Sequence, residues 1–257
     1  DSERHDPHPV YQAFMAQDYS KNFSRDEVRQ TVIPTYMGLI KQLDDHIGRV
    51  LAKLDEKGLR ENTLVVLTSD HGDYLGDHWL GEKDLHHDPS IRIPLIISDP
   101  SDAANSTRGS ISDALVEAID LVPTLTEYAG AKICSERLEG RSLTPLMQGR
   151  LPSGSWRDYI ISEIDYSDRG PRTLLNLHPY DCRARVIRTH QWKYVLHERF
   201  RPQLYNLVDD PNEFTDLGDD PNCAEIRADL HEALFAWHRK LKSRTEAQAD
   251  RLLTMGP

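Results

Sequence analysis

Residues 63–69, Thr-Leu-Val-Val-Leu-Thr-Ser, form an unbroken β-branched and apolar run that leads directly into Asp70-His71-Gly72-Asp73. An apolar run of strand length fits a strand covered on both faces, which is the environment of a parallel sheet flanked by helices. A helical segment precedes it by only a short turn, so the order of elements is that of an α/β unit. In open α/β sheets ligands bind beyond the carboxyl ends of the strands. The carboxylate of Asp70 and the imidazole of His71 therefore stand where chemistry is expected. Side-by-side oxygen and nitrogen donors suit a divalent cation, although a pair like this, taken alone, more often serves as a loop cap.

Upstream, Val28, Val32, Tyr36, Leu39, Ile40, Leu43, Ile47, Val50, Leu51 and Leu54 recur at spacings of three and four, one face of a long helix. Ser24 reads as its N-cap, Asp26 and Glu27 as its first turn and Gly58 as its stop, while Pro34 predicts a kink or a restart. Residues 93–97 read as a second buried strand. Residues 120–130 read as a helix with Asp120 near its start and Gly130 as its stop. The stretch 146–156, with Gly149, Pro152, Ser153, Gly154 and Ser155, has linker composition. Beyond it, 159–164, 184–189 and 192–197 are short strand candidates, the last two joined by a hairpin-like turn. Residues 224–243 then place Ile226, Leu230, Leu234, Trp237 and Leu241 on one helical stripe. These patterns predict an α/β unit over residues 1–150 and a smaller α+β unit with an antiparallel sheet over 151–257.

The balance of 31 basic against 42 acidic residues, a net charge of −11, argues against nucleic acid as a partner. No stretch approaches the roughly 20 apolar residues that a membrane-spanning helix needs, so no membrane partner is expected. The three cysteines, Cys134, Cys182 and Cys223, are odd in number and widely spaced, reading as packed or idle thiols of a reducing, cytoplasmic setting. The opening residues lack Met and resemble an internal loop of a larger protein, so a native N-terminus is expected upstream.

The run from Asp70 to Lys83 and the following Ser90-Ile-Arg-Ile-Pro94 resemble the second signature region of the sulfatase family. The shared features are Asp-His-Gly, Gly76-x-His78, a lysine thirteen residues after Asp70, and Arg92-x-Pro94 opening the next strand. Within the family, Gly81-Glu-Lys83 and His87-Asp-Pro-Ser90 are most similar to the phosphonate monoester hydrolase branch. The resemblance continues at 43–48, 120–124, 188–194 and 204–213, and spans about residues 28–240.

It implies an alkaline-phosphatase-like, mostly parallel sheet flanked by helices, and metal-dependent hydrolysis of small phosphonate, phosphate or sulfate esters. Asp70 and His71 would bind one divalent ion, calcium or manganese. Lys83 would hold a substrate oxyanion and act in catalysis, and His87 would reach the substrate from the same loop. His78 and His86 share that loop and are either solvated or, like His87, near the substrate or a ligand; Arg92 reads as a structural ion-pair partner. The family nucleophile is a formylglycine made from Cys or Ser in C/S-x-P-x-R. Cys134-Ser-Glu-Arg-Leu138 lacks both the proline and the arginine of that motif, so the formylglycine is expected outside this sequence and the chain alone is expected to be inactive. Two other readings remain open: a two-zinc phosphodiesterase or mutase of the wider alkaline phosphatase superfamily, and a non-catalytic binding module that keeps the fold. The resemblance also implies a homo-oligomer as one arrangement, and residues 242–257 read as a frayed tail by default, with an interface arm as the alternative.

Overall fold

The apolar stripe that begins at Val28 forms one helix. The structure, a computed structural model, describes residues 2–134, 137–151 and 156–242. Two short helices, α1 (Pro9–Met15) and α2 (Asp18–Phe23), lead into α3 (Asp26–Glu56), which runs through Pro34 without a break. Ser24 does not cap α3. It closes α2 instead, its Oγ donating to the Lys21 carbonyl at 2.7 Å, and α3 starts after Arg25 with no side-chain cap. At the other end Gly58 adopts φ +62°, and the Leu59 and Gly58 amides donate to the Leu54 and Asp55 carbonyls at 2.9 and 3.0 Å. That pattern is a Schellman stop, which needs the left-handed backbone that glycine adopts without strain.

The strand expected at 63–69 is β1 (Val65–Thr68), but its pairing differs from the expectation. It lies antiparallel to β2 (Leu95–Ser98), Val65 opposite Ser98 and Thr68 opposite Leu95, in a two-stranded sheet. Among the described residues there is no parallel sheet. The reason lies in the connection. A parallel pair needs a crossover that carries the chain back to the starting edge. Residues 69–94 instead form a loop, broken only by short helical turns such as α4 (Asp88–Ile91), which returns the chain alongside β1 in the opposite sense. β1 is also only partly buried, and Ile96 of β2 is 60% exposed. The apolar stripe of α3 is likewise open, with Leu43 57% and Val50 61% exposed. Among the described residues nothing covers this face.

Two further short helices follow, α5 (Leu121–Tyr128) and α6 (Thr144–Met147). Asp120, fully buried ahead of α5, accepts from the Glu117 and Arg141 amides at 2.8 and 2.7 Å and pairs with Arg157 at 2.6 Å. The linker positions 152–155 and the tail 243–257 lie outside the described residues.

Four strands build the second sheet: β3 (Ile160–Asp165), β4 (Arg183–Arg188), β5 (Trp192–His197) and β6 (Gln203–Asn206), with α7 (Gly170–Leu174) between the first two. All neighbours are antiparallel in the order β3-β4-β5-β6. Three of these strands follow the expected segments; β6 does not appear in the periodicity, because its four residues are too few to show alternation. The final helix, α8 (Ala224–Lys242), rests Leu230 and Leu234 on Ile187, Tyr194 and Leu204, with Trp237 at the margin. A second core gathers Val10, Tyr11 and Phe14 of α1 with Tyr74, Leu80 and Leu85 of the long loop, and with Tyr166 and Cys182 of the second unit. No helix of the described residues is long and apolar enough to cross a membrane.

Leu234 is 2% exposed at the centre of the α8 contact. We predict that Leu234→Ala lowers unfolding stability by about 2–5 kcal/mol, the cost of an unfilled core site. Urea unfolding measures this, and a loss under about 1 kcal/mol would mean that α8 does not rest on the sheet.

Candidate functional site

At the end of β1 the chain turns outward. Asp70 and His71 are both accessible, with side chains 86% and 40% exposed, and Asp70 Oδ2 lies 3.5 Å from His71 Nε2. The loop fixes both groups. Ser69 Oγ donates to the His71 carbonyl at 2.6 Å, and the His71 amide donates to Asp70 Oδ1 at 3.0 Å. His71 Nδ1 lies 2.7 Å from the Gly72 carbonyl. A carbonyl can only accept, so Nδ1 is the donor, and in the neutral imidazole the lone pair then lies on Nε2, the orientation that metal-binding imidazoles are usually given. The backbone amides of Asp70 itself and of His71 hold the Asp70 carboxyl below the usual carboxylate range, with the His71 ring adding to the effect.

This donor set fits part of a divalent-metal site. With metal–ligand bonds of roughly 2.1–2.4 Å, donors 3.5 Å apart subtend an angle of roughly 100°, the separation of neighbouring ligands around one ion. Among the described residues no group of three or more His, Cys, Asp or Glu side chains converges on a metal. Among the described residues the Asp70–His71 pair therefore offers two donor groups and no more.

The segment from Tyr74 to Lys83 folds back on itself through the Tyr74 amide to the Glu82 carbonyl and the Gly76 amide to the Leu80 carbonyl, both 2.9 Å. Leu75, His78, Trp79 and Glu82 all have positive φ. Four non-glycine residues in that region within one loop mark a backbone held against its preference, a condition that clusters at functional sites. Lys83 closes the loop. It is half-buried, and among the described residues its Nζ has no hydrogen-bond or ion-pair partner.

His87 was expected to reach the substrate, but the structure buries it completely. Its Nδ1 lies 2.5 Å from Tyr11 Oη and 2.9 Å from Tyr74 Oη, and its ring stacks on His78 at 3.8 Å. No face of the ring is open. The cause is α1, which lays Tyr11 over the loop from 76 residues away in sequence. His78 and His86 are also buried, and they continue into a column with His197 and His8 of which the spacing gives no sign. Burial lowers the pKa of His8, His86 and His87, and pushes His197 down to about 3.

Beside this column lies a charge cluster that the sequence reading also missed. Lys193 of β5 is fully buried, its Nζ 2.7 Å from Asp88 Oδ1, 2.5 Å from Glu213 Oε1 and 3.1 Å from the His86 carbonyl. Arg188 and Arg92 approach Asp88 Oδ2 at 3.2 and 3.7 Å, which makes Arg92 the ion-pair partner anticipated from its place before Pro94. A buried ammonium flanked by carboxylates is the kind of signal that only three-dimensional placement reveals.

Residues 2–131 match the sulfatase family, and residues 76–240 match the C-terminal family described as N-sulphoglucosamine sulphohydrolase. The chain is 37% identical over 222 residues to a multifunctional alkaline phosphatase superfamily protein of Trinickia caryophylli, covering 85% of this chain and 42% of that protein. It is 31% identical over 216 residues to an arylsulfatase of Clostridium perfringens, covering 84% and 41%. A phosphonate monoester hydrolase from Silicibacter pomeroyi superposes with a TM-score of 0.80 at 30% identity, covering 93% of this chain and 48% of that one. The chain thus spans less than half the length of each of these relatives.

The imidazole column generates a pH dependence. His8, His86, His87 and His197 are held neutral in the fold, whereas in the unfolded chain they take up a proton near the ordinary value of 6.5. Their contribution to stability is complete above that value and is lost as pH falls below it, toward about 3 for His197. We predict that the urea midpoint drops between pH 7 and pH 5, with each ring contributing up to about 1.4 kcal/mol per pH unit. An unchanged midpoint across that range would show that these rings are protonated in the native state.

Proposed function

The chain belongs to the sulfatase family, and on that premise we propose that it forms part of the metal and oxyanion site of an enzyme that hydrolyses small phosphonate, phosphate or sulfate esters. The observation that carries this reading is the Asp70–His71 pair. The two side chains are accessible, their donor atoms are 3.5 Å apart, and His71 Nδ1 faces the Gly72 carbonyl so that Nε2 is left to ligate. A divalent ion held there, calcium or manganese, would supply Lewis-acid polarisation of an ester oxygen. Asp70 stays ionised because backbone amides stabilise its carboxylate, so it contributes charge as well as a ligand. Lys83 brings a compact positive charge with no protein partner among the described residues, free to meet an anionic oxygen. Phosphoryl and sulfuryl esters share that tetrahedral oxyanion, and all three substrate classes fit the same pair of contacts.

Two further features support the reading. The strained loop between the metal pair and Lys83 is held by backbone hydrogen bonds, a fixed frame of the kind that electrostatic catalysis requires. Cys182 and Cys223 are buried, and Cys134 lacks the motif that formylglycine formation needs, so the nucleophile of this reading is a formylglycine contributed from outside this sequence. His87, enclosed by Tyr11, Tyr74 and His78, supports the loop from within.

Two substitutions in the full-length protein separate the roles. Asp70→Asn removes a charged ligand, so metal affinity should fall and activity should return in part at high metal concentration. Lys83→Ala should leave metal content unchanged and lower turnover by roughly 10²–10³, the scale of losing one oxyanion donor, without rescue by metal. Metal analysis and steady-state kinetics on both variants read this out. Unchanged metal affinity in Asp70→Asn would remove the metal assignment, and normal turnover in Lys83→Ala would remove the lysine from the site.

A further inference from the structure

Between Asp70 and Lys83 the chain runs through twelve residues of loop, and a loop by itself does not hold two groups at a fixed separation. Both ends meet in α4. The Gly72 amide donates to the Ser90 carbonyl at 2.7 Å, and Ser90 Oγ donates to the Lys83 carbonyl at 2.5 Å. Ser90 is 1% exposed. We infer that Ser90 is a positioning residue that sets Lys83 relative to the Asp70–His71 pair, an inference that rests on the site reading above.

The contact on the metal side is close. A Cβ added at Gly72 would fall 2.0 Å from the Pro89 carbonyl oxygen, so the two backbones approach in a way that only glycine permits. On the lysine side, among the described residues, the Ser90 hydroxyl makes the one hydrogen bond to the Lys83 main chain, and it acts one residue after Glu82, whose φ is +58°. Without that bond the strained turn has less to hold it, and the Lys83 carbonyl is left facing a buried methyl group in place of a donor.

Ser90 can serve as a reference point because α4 is itself anchored. The Asp88 amide donates to Glu213 Oε2 at 2.7 Å, and the Asp88 carboxylate is held by Lys193 at 2.7 Å and Arg188 at 3.2 Å. Those partners belong to β4, β5 and the segment after β6, so the second sheet fixes the helical turn and the turn fixes the two site segments. Ser90 joins the two parts of this relay, since its carbonyl and its hydroxyl serve one segment each. Substituting Lys193 would leave the buried Glu213 carboxylate without its cation and put folding at risk. Ser90→Ala is the milder probe, because it removes the tie to Lys83 and leaves the Ser90 carbonyl on Gly72.

The test is a double-mutant cycle in the full-length protein, using an aryl phosphonate monoester and an aryl sulfate ester in parallel, with metal content and melting temperature recorded for each variant. Ser90→Ala should lower kcat by about tenfold to a hundredfold, the scale of a small misplacement of a catalytic group, while KM and metal content stay at parental values. In the Lys83→Ala background the same substitution should cause no further loss, since a residue that acts through Lys83 has nothing left to position. Additive losses, or a loss in KM or metal content with kcat intact, would overturn the inference and leave Ser90 as a packing residue. Normal turnover in Lys83→Ala alone would overturn the site reading, and this inference with it. Should Ser90→Ala not fold, Ser90→Cys, similar in size and a weak donor, enters the same cycle with the same expected pattern.

Discussion

A lysine ammonium removed from water must find partners for all three of its donors, or its burial costs more than the fold can supply. Lys193 donates to the Asp88 carboxylate and the His86 carbonyl, and it forms an ion pair with the Glu213 carboxylate. Each belongs to a segment other than β5. The requirement to satisfy one charge therefore dictates where the end of the signature loop, the segment after β6 and the second sheet lie relative to one another. Burial pushes the Glu213 carboxyl up while Lys193 opposes it, and the Asp88 amide adds a hydrogen bond to the same carboxylate. Losing any member would strand the others in a low-dielectric interior, which makes such a network specific in its geometry.

Next to this charged cluster lies a stack of imidazoles. The column from His8 through His197, His86 and His87 to His78 fills the space between α1, the loop and the sheet. Tyrosine hydroxyls meet His87, whereas neither ring nitrogen of His86 has a partner among the described residues. Burial lowers the pKa of His8, His86, His87 and His197, so the junction combines a fixed charge cluster with rings that resist an added proton, while His78 Nδ1 meets the Glu3 carboxylate at 2.6 Å. The core built on Val10, Phe14, Leu80 and Leu85 surrounds them with apolar surface. Polar groups thus specify the alignment of the loop with the second sheet, and hydrophobic burial supplies most of the driving force.

The opposite side of the first unit differs. α3 turns Met37, Leu39, Ile40, Leu43 and Val50 to solvent, and β2 does the same with Ile96. The pattern that made α3 legible is real, since the stripe runs from Val28 to Leu54 of a 31-residue helix, but a stripe reports which face is apolar and not what meets it. The strand at Val65–Thr68 carries the same lesson. Its composition is that of a strand covered on both faces, and its exposed Thr68 and half-buried neighbours show how far the environment can depart from composition.

What the sequence determined by itself is local. Spacings of three and four placed α3 and α8, Gly58 and Gly130 stopped their helices, and the Asp-His-Gly run with a lysine thirteen residues on marked the segment that holds the candidate site. These features are carried by residues within a few turns of each other, where backbone preference and side-chain period act directly. Tertiary structure decided the rest. It set the antiparallel sense of β1 and β2, the burial of His87 under Tyr11, the role of Ser90 between two loop segments, and the meeting of Lys193 with Asp88 across 105 residues. Strand direction depends on the path of the connecting chain, and the state of a histidine or a lysine depends on which distant segment removes it from water. Neither quantity is encoded in the period of any one segment.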